Sequence, residues 1–251
     1  MAFTDVEIER YARHLVLREV GGPGQQKLKG ASVLIVGAGG LGSPAALYLA
    51  AAGVGALFVA DPDVVELSNL QRQVLYAEGD VGRSKAEAAA DRLAALNPHI
   101  FVAGYDGAFD SSTADELAKG VDLVLDGTDN FSVRYEINAA CVRHRKPLIS
   151  GAIGRWTGQV GVFGGQPCYR CLVPEIPPDA ETCVAVGVVG ALAGVVGSMM
   201  ALEAIKLITG AGEPLLGRLM IYDALSAETR TVRVGADPDC PVCGGGVLPA
   251  P

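Results

Sequence analysis

Val33-Leu34-Ile35-Val36-Gly37-Ala38-Gly39-Gly40-Leu41-Gly42 runs from an unbroken apolar tetrad into a turn dense with glycine. The tetrad has the length and composition of a strand buried on both faces. Leu41 to Ala52, almost all small or apolar, reads as the helix that follows. Glycines between strand and helix permit a tight bend and let backbone N–H groups come close to phosphate, and the helix N-terminus adds positive potential. Asp61 follows the next apolar run, Ala56 to Ala60, at a place where a carboxylate can accept hydrogen bonds from ribose hydroxyls. The same glycines would also suit a turn that merely packs a helix onto a sheet. Strand, glycines, helix and acid in that order favour nucleotide binding, without naming the nucleotide.

The pattern extends outward from this core. Ile100 to Ala103, Val121 to Leu125 and Pro147 to Ser150 continue the strands, and Ser84 to Leu96, Ala114 to Lys119 and Val133 to Arg143 read as helices between them. Such alternation implies a largely parallel sheet covered on both faces. Upstream, Thr4 and Glu7 form a capping-box pair ahead of Ile8, Tyr11 and Leu15, which predicts an opening helix. Gly21, Gly22, Pro23 and Gly24 read as a turn. Beyond Gly151, Gln159 to Phe163 alternates like a half-exposed strand, and Arg218 to Tyr222 with Glu228 to Val234 predict a closing antiparallel hairpin. No Pro/Ser-rich linker divides the halves, so this region is expected to extend the same sheet.

The 251 residues suffice for one large α/β domain. A formal charge of −8, with Arg143-His144-Arg145-Lys146 as the only basic run, argues against nucleic acid as a partner. Met1-Ala2-Phe3-Thr4-Asp5 lacks the basic and apolar regions of a signal peptide, so the six cysteines suggest metal binding before disulfides. Val184 to Leu202 carries no charge and is long enough to cross a membrane. Cysteine pairs lie on both sides of it, and if they share a metal it cannot span. A buried helix, closely packed at its glycines, is the expectation.

Ligands in such folds sit beyond the carboxyl ends of the strands. Asp126-Gly127-Thr128-Asp129-Asn130 follows a predicted strand and therefore lies at that edge. Asp129 can hold Mg²⁺ beside phosphates, or the segment can be a plain strand-end turn. Ser68-Asn69-Leu70-Gln71-Arg72-Gln73 carries an arginine suited to bidentate phosphate contact, and Lys85 can supply a second cation. Considered in isolation, each is better explained as a solvated loop or a helix surface. Cys168-x-x-Cys171 and Cys240-x-x-Cys243 suit a closed, structural tetrahedral zinc site, against which stand two unrelated pairs or redox dithiols. Cys141 lies in an apolar helical stretch and reads as core. Cys183, between a Pro-rich loop and the apolar helix, is either a buried thiol or a nucleophile activated at a helix N-terminus. His14, His99 and His144 show no triad-like context.

Taken together, Arg10-Tyr11-x-Arg13, Gly37 to Gly42, Asp61, Ser68 to Gln73, Lys85, Asp126 to Asn130, both cysteine pairs and Ala201-Leu202-Glu203-Ala204-Ile205-Lys206 give a chain that resembles the MoeB/ThiF branch of the E1-like (ubiquitin-activating-like) enzymes over almost its whole length. The resemblance implies a Rossmann-like, mostly parallel sheet with an antiparallel C-terminal extension and a structural zinc site. It implies one adenylation domain over 1–251: an N-terminal helix (1–20) contributing to the dimer partner, a nucleotide-binding core (30–150), and a carrier- and zinc-binding portion (151–251). ATP would be held by Gly37, Gly39, Gly40, Gly42, Asp61, Ser68, Asn69, Arg72, Lys85, Asp129 and Asn130, with Asp129 on Mg²⁺ and the four paired cysteines on Zn²⁺. Arg13 would reach the triphosphate of the other subunit of a homodimer.

The implied substrate is a ubiquitin-like sulfur-carrier protein ending in Gly-Gly, of the molybdenum-cofactor, thiamin or tRNA-thiolation type, its tail passing the 182–189 region. Cys183 matches a position that forms a covalent link with the carrier in some members. Sulfur would come from a separate donor such as a cysteine desulfurase or a rhodanese, because the chain stops before the rhodanese domain of longer relatives. The implied location is cytoplasmic, without a membrane. The carrier carboxylate is ionised at neutral pH, so adenylation needs no general base, and none stands out. Two rivals are an NAD-dependent oxidoreductase, which leaves Arg13, Arg72, Lys85 and Asp129 unexplained, and a non-catalytic E1-like scaffold, which gives the phosphate-contacting set no purpose.

Overall fold

Val33 and Ile35 belong to one buried apolar cluster and Leu34 and Val36 to another, so strand β1 (Ser32–Val36) alternates its side chains into two separate cores. That places β1 inside a sheet covered on both faces. A computed structural model describes residues 2–176 and 187–244 of the chain. Its remaining strands are β2 (Ala56–Ala60), β3 (Phe101–Tyr105), β4 (Leu123–Asp126), β5 (Leu148–Gly154), β6 (Thr157–Phe163), β7 (Arg218–Asp223) and β8 (Glu228–Arg233). They form one eight-stranded sheet in the order β3-β2-β1-β4-β5-β6-β7-β8. β1 to β5 pair in parallel, and β6, β7 and β8 are added antiparallel. The expected C-terminal hairpin extends the sheet, as anticipated.

The described α-helices are α1 (Asp5–Arg10), α2 (Ala12–Leu15), α3 (Gly21–Gly30), α4 (Gly42–Ala52), α5 (Lys85–Leu96), α6 (Ala114–Lys119), α7 (Phe131–His144), α8 (Tyr169–Leu172) and α9 (Gly190–Thr209), with short 3-10 turns at Leu67–Asn69 and Glu78–Asp80. Leu28 of α3 and residues of α4, α5 and α9 fill the cluster on one face; α6, α7 and Tyr169 fill the other. The Thr4–Glu7 capping box is present, and the opening helix breaks at Tyr11 into α1 and α2. Tyr11 packs on the α4 end at Gly53, and its hydroxyl accepts a hydrogen bond from Asn97 Nδ2 at 2.9 Å.

Three sequence expectations need correction. Gln159 to Phe163 is not half-exposed: Val160 and Val162 fill one apolar cluster and Phe163 the other, so β6 is covered on both faces. The glycines at 21–24 are not a turn but the first turn of α3. Pro23 costs little there, since first-turn N–H groups have no intrahelical partner. Packing then outweighs poor propensity: Leu28 and Gln25 are fully buried, and Gln25 Nε2 donates to Ala52 O at 2.8 Å. The apolar helix, in turn, starts at Gly190 and runs to Thr209, later than the uncharged stretch suggested. Its length and mean hydropathy of 1.7 would suit a membrane span, yet it packs on α3, α4, β5 and β6. A Cβ on Gly197 would lie 2.4 Å from Leu41 O, so α9 and the start of α4 meet backbone to backbone. Within α9, Glu203 is buried, pairs with Lys206 and accepts the Leu215 N–H at 2.7 Å, which ties the helix to the chain entering β7.

Buried Glu7 holds α1 against α3 through Lys29 Nζ at 2.6 Å. That ammonium, with the Thr4 backbone N–H, brings the Glu7 carboxyl down from 4.5 to about 2. A depressed carboxyl stabilises the fold fully above its ordinary value, and the contribution fades as pH falls from about 4.5 toward about 2. Glu7→Gln should therefore lower Tm by roughly 2–4 °C at neutral pH, the effect of about 1 kcal/mol in a chain of this size. In thermal melts the gap to the unmodified chain should close as the pH approaches 2; a gap constant from neutral to acid pH would show that the pair is not its source.

Candidate active site at the strand tips

The glycine turn is held by backbone crowding. Gly37 has φ of +85°, and a Cβ on Gly42 would lie 1.9 Å from Gly37 O, so neither position accepts a side chain without opening the turn. Gly127, just past β4, packs against the same carbonyl at 3.0 Å from its own ideal Cβ. The turn after β1 and the turn after β4 are thus one packed unit. α4 starts at Gly42, and its N-terminus faces the strand tips where this unit sits.

Asp61, at the tip of β2, is buried and grips the turn: its Oδ2 accepts the Ala38 N–H at 2.7 Å and its Oδ1 the Asp63 N–H at 2.9 Å. Hydrogen bonds to a charged acceptor contribute about 1.5–3 kcal/mol each. Burial nevertheless raises this carboxyl above its usual range, opposed by nearby Lys85 and by the two N–H groups. It has acceptor capacity left for a ribose. Lys85, at the start of α5, is capped into place by Ser84, and its largely buried ammonium meets Asp63 Oδ2 at 2.9 Å. Asp63 is 67% exposed, so its carboxylate can turn to water and leave the ammonium to a phosphate.

Arg72 crosses Gly40, its Cγ 3.6 Å from an ideal Cβ there, and its guanidinium donates to Ser68 O at 3.1 Å. Asn69 is buried in the same loop, its Oδ1 accepting the Glu66 N–H, while Ser68 is exposed and bonds Glu66. Asp129 stands exposed on the turn after β4, next to Thr128, whose methyl lies 3.1 Å from an ideal Cβ on Gly37. An exposed carboxylate beside such a glycine turn offers the hard oxygen donor that magnesium prefers. Asn130 is engaged otherwise: its Oδ1 caps α7 by accepting from Ser132 and Val133 N–H groups. The structure therefore brings Gly37, Gly39, Gly40, Gly42, Asp61, Asn69, Arg72, Lys85 and Asp129 to one edge. Arg13 is not among them. It is exposed on α2, which Tyr11 ties to Gly53 at the far end of α4. Cys183 and residues 177–186 lie outside the described residues.

Three neighbours of the site were not named from the sequence, and a fourth, Gln73, was named only as the end of the polar loop. Asp63 is the resting partner of Lys85. Tyr76 braces the turn, its hydroxyl 3.0 Å from Ala38 O and 3.2 Å from Lys85 O. Gln73 is buried beside Gly39, and its Oε1 has no hydrogen-bond partner among the described residues. Arg134 lies beneath the β4 turn, donating to Thr128 O and, at 2.9 Å, to Gly151 O. Only Gln73 had a signal, its place in the polar loop; the others are set by contacts remote in sequence.

The cysteine pairs meet. The Sγ atoms of Cys168, Cys171, Cys240 and Cys243 all lie within 4.8 Å of one another, with Cys168–Cys240 at 3.7 Å and Cys171–Cys243 at 3.4 Å. A tetrahedron of thiolates at ~2.3 Å from zinc has edges of about 3.8 Å, so these residues fit that ion. Asn138 Nδ2 and the Asp237 N–H each point at a sulfur at 3.5 Å, and burial of Cys240 is outweighed by the Cys243 and Val242 N–H groups, which help bring its thiol down to about 7. The pairs lie on either side of α9 in the chain and share one cluster, so α9 does not separate them across a bilayer.

Comparison with known proteins is consistent across sequence and structure. The chain is 50% identical over 253 residues to a sulfur carrier protein adenylyltransferase of Thermus thermophilus, covering 97% of this chain and 93% of that one. It is 46% identical to the molybdopterin-synthase adenylyltransferase of Escherichia coli, covering 96% and 98%. An adenylyltransferase and sulfurtransferase of Zea mays is 50% identical, and the chain spans 52% of that longer protein. Among solved structures, Escherichia coli MccB with MccA-N7isoASN superposes with a TM-score of 0.83 at 26% identity, covering 94% of this chain and 75% of that one. Residues 11–242 match the ThiF family from the α1–α2 junction to the last cysteine pair, and this chain belongs to that family.

Proposed function

We propose that the chain adenylates the C-terminal Gly-Gly carboxylate of a ubiquitin-like sulfur-carrier protein, using ATP and releasing pyrophosphate. The observation that carries this reading is the gathering of a glycine turn, a ribose-facing carboxylate, two cations and an exposed carboxylate at one sheet edge, in a chain near half identical to named adenylyltransferases. A hydride-transferring dehydrogenase would leave Arg72, Lys85 and Asp129 without work.

The chemistry is a substitution at the α-phosphorus. A carboxylate oxygen of the carrier forms the new P–O bond, and the bond to the oxygen bridging to the β-phosphorus breaks, so pyrophosphate leaves with the electron pair. Asp61 accepts the ribose hydroxyls, while the N–H groups of the glycine turn and the N-terminus of α4 face the phosphates. Arg72 and Lys85 lie where negative charge grows on the leaving group, so they bind the transition state more tightly than the ground state. Asp129 would hold magnesium, which supplies further neutralisation at the phosphates when bound. The four cysteines would hold zinc in a closed structural site.

Arg13 takes part from the other protomer of a homodimer. In its own chain it sits at the opposite end of α4 from the glycine turn, too far along an eleven-residue helix to reach it. An apolar stripe on α9, Ala191, Val195 and Leu202, remains exposed, as does Tyr48 on neighbouring α4. These give a second copy an apolar surface to cover. The sulfur that converts the adenylate to a thiocarboxylate is assigned to a separate donor protein.

Arg72→Ala and Asp129→Ala should each lower carrier-dependent ATP–pyrophosphate exchange by at least ~100-fold, the scale of losing one transition-state contact. Circular dichroism and zinc content should stay unchanged; ordinary exchange by either variant removes that residue from the mechanism. Mixing Arg13→Ala with Asp129→Ala chains should restore roughly a quarter of full activity, because half the twofold dimers then own one intact site. Absence of recovery after confirmed subunit exchange would place Arg13 outside the shared site.

A further inference from the structure

Arg134 and Asn138 are one helical turn apart on α7, and both hold the same dipeptide, Cys168-Tyr169. Asn138 Oδ1 accepts the Tyr169 N–H at 2.8 Å, and its Nδ2 points at Cys168 Sγ at 3.5 Å. Arg134 is almost fully buried, with its guanidinium 3.5 Å from the Tyr169 hydroxyl and over the Tyr169 ring. The other arms of that guanidinium bind Thr128 O and Gly151 O. Thr128 precedes Asp129, and Asn130 then caps α7 itself. The thiol cluster and the exposed carboxylate thus share one rigid helix and one cation.

The charge of buried Asp126 favours Arg134 at this place, but it does not set the guanidinium's hydrogen bonds. Asp126 already accepts from Thr128 N–H, Thr128 Oγ1 and Ser150 Oγ at 3.0, 2.7 and 2.7 Å, and its nearest approach to Arg134 is 3.9 Å. Arg134 spends its shortest hydrogen bonds on two backbone carbonyls instead, one in the turn that carries Asp129. A planar fork with five fixed donors can hold several carbonyls in one geometry; an ammonium cannot.

We propose that Arg134 and Asn138 transmit the assembly of the four-cysteine cluster to the Thr128–Asp129 turn, which makes Arg134 a positioning residue for the carboxylate that would hold magnesium. The inference rests on the reading of Asp129 given above. It assigns the cluster a role in the active site in addition to stapling the C-terminal strands.

Hydrogen exchange on the zinc-loaded chain, before and after extraction of zinc with a chelator, is the primary test. Exchange at residues 126–132 should accelerate about 10-fold together with 168–172, the scale of losing an outer-shell partner, while residues 32–60 hold their rate. In Arg134→Lys the 126–132 segment should already exchange fast with zinc bound and gain nothing on extraction. The same variant should need about 10-fold more magnesium for half-maximal pyrophosphate exchange while keeping its zinc. Tyr169→Phe, a milder change that keeps the fold within reach, should shift the magnesium requirement in the same direction by less. An unchanged 126–132 segment after extraction, loosening spread evenly over the sheet, or a normal magnesium requirement in folded Arg134→Lys overturns the proposal. Unaltered magnesium dependence in Asp129→Asn would instead overturn the assignment of Asp129 and the magnesium part with it, leaving the exchange result to judge the coupling alone.

Discussion

The carbonyl of Gly37 occupies the space that a side chain at Gly42 would need, and the Gly127 backbone closes on the same carbonyl from β4. This crowding fixes two strand-end turns against each other without a single long side chain. Everything that follows in the site is arranged around that contact. Asp61 pins the turn through Ala38, Tyr76 braces it from below, and Arg72 covers it at Gly40. The turn pays for its shape in backbone entropy, and the packed sheet beneath supplies the rigidity that makes it reproducible.

A second consequence is a division between what is rigid and what is exchangeable. Asp61, Asp126 and Arg134 are buried and each is held by at least two hydrogen bonds, so they hold geometry. Lys85, Arg72 and Asp129 are held by weaker or solvent-facing contacts, so they remain available to a ligand. An electrostatically preorganised site needs both classes: fixed dipoles aimed at developing charge, and cations that trade a poor partner for a good one.

The strand series was legible because Val33 to Val36 and Ala56 to Ala60 are short, apolar on both faces and set between helical stretches, as inner parallel strands are. The glycine turn, Asp61 and the cysteine spacings were legible for similar reasons, since each is a local pattern tied to one geometry. α3 was not, because Gly21, Gly22 and Gly24 have poor helix propensity and the helix exists through burial of Leu28 and Gln25 against α4. Neither were Asp63, Tyr76 and Arg134, whose roles arise from partners far along the chain, and local pattern carries no record of those. The location of Arg13 at the wrong end of its own α4 is likewise a fact of tertiary packing, although its residue type was visible from the start.

The loose ion pair between Lys85 and Asp63 bears on how the site empties. In the proposed reaction, a cation left bare in a ligand-free cleft would cling to the leaving pyrophosphate and slow each cycle at its last step. Asp63 would compete for that ammonium as product leaves, and being mostly in water it would yield again to the next triphosphate. The carboxylate acts as a placeholder whose weakness is its usefulness: turnover gains a softened exit without giving up the grip needed on the way in.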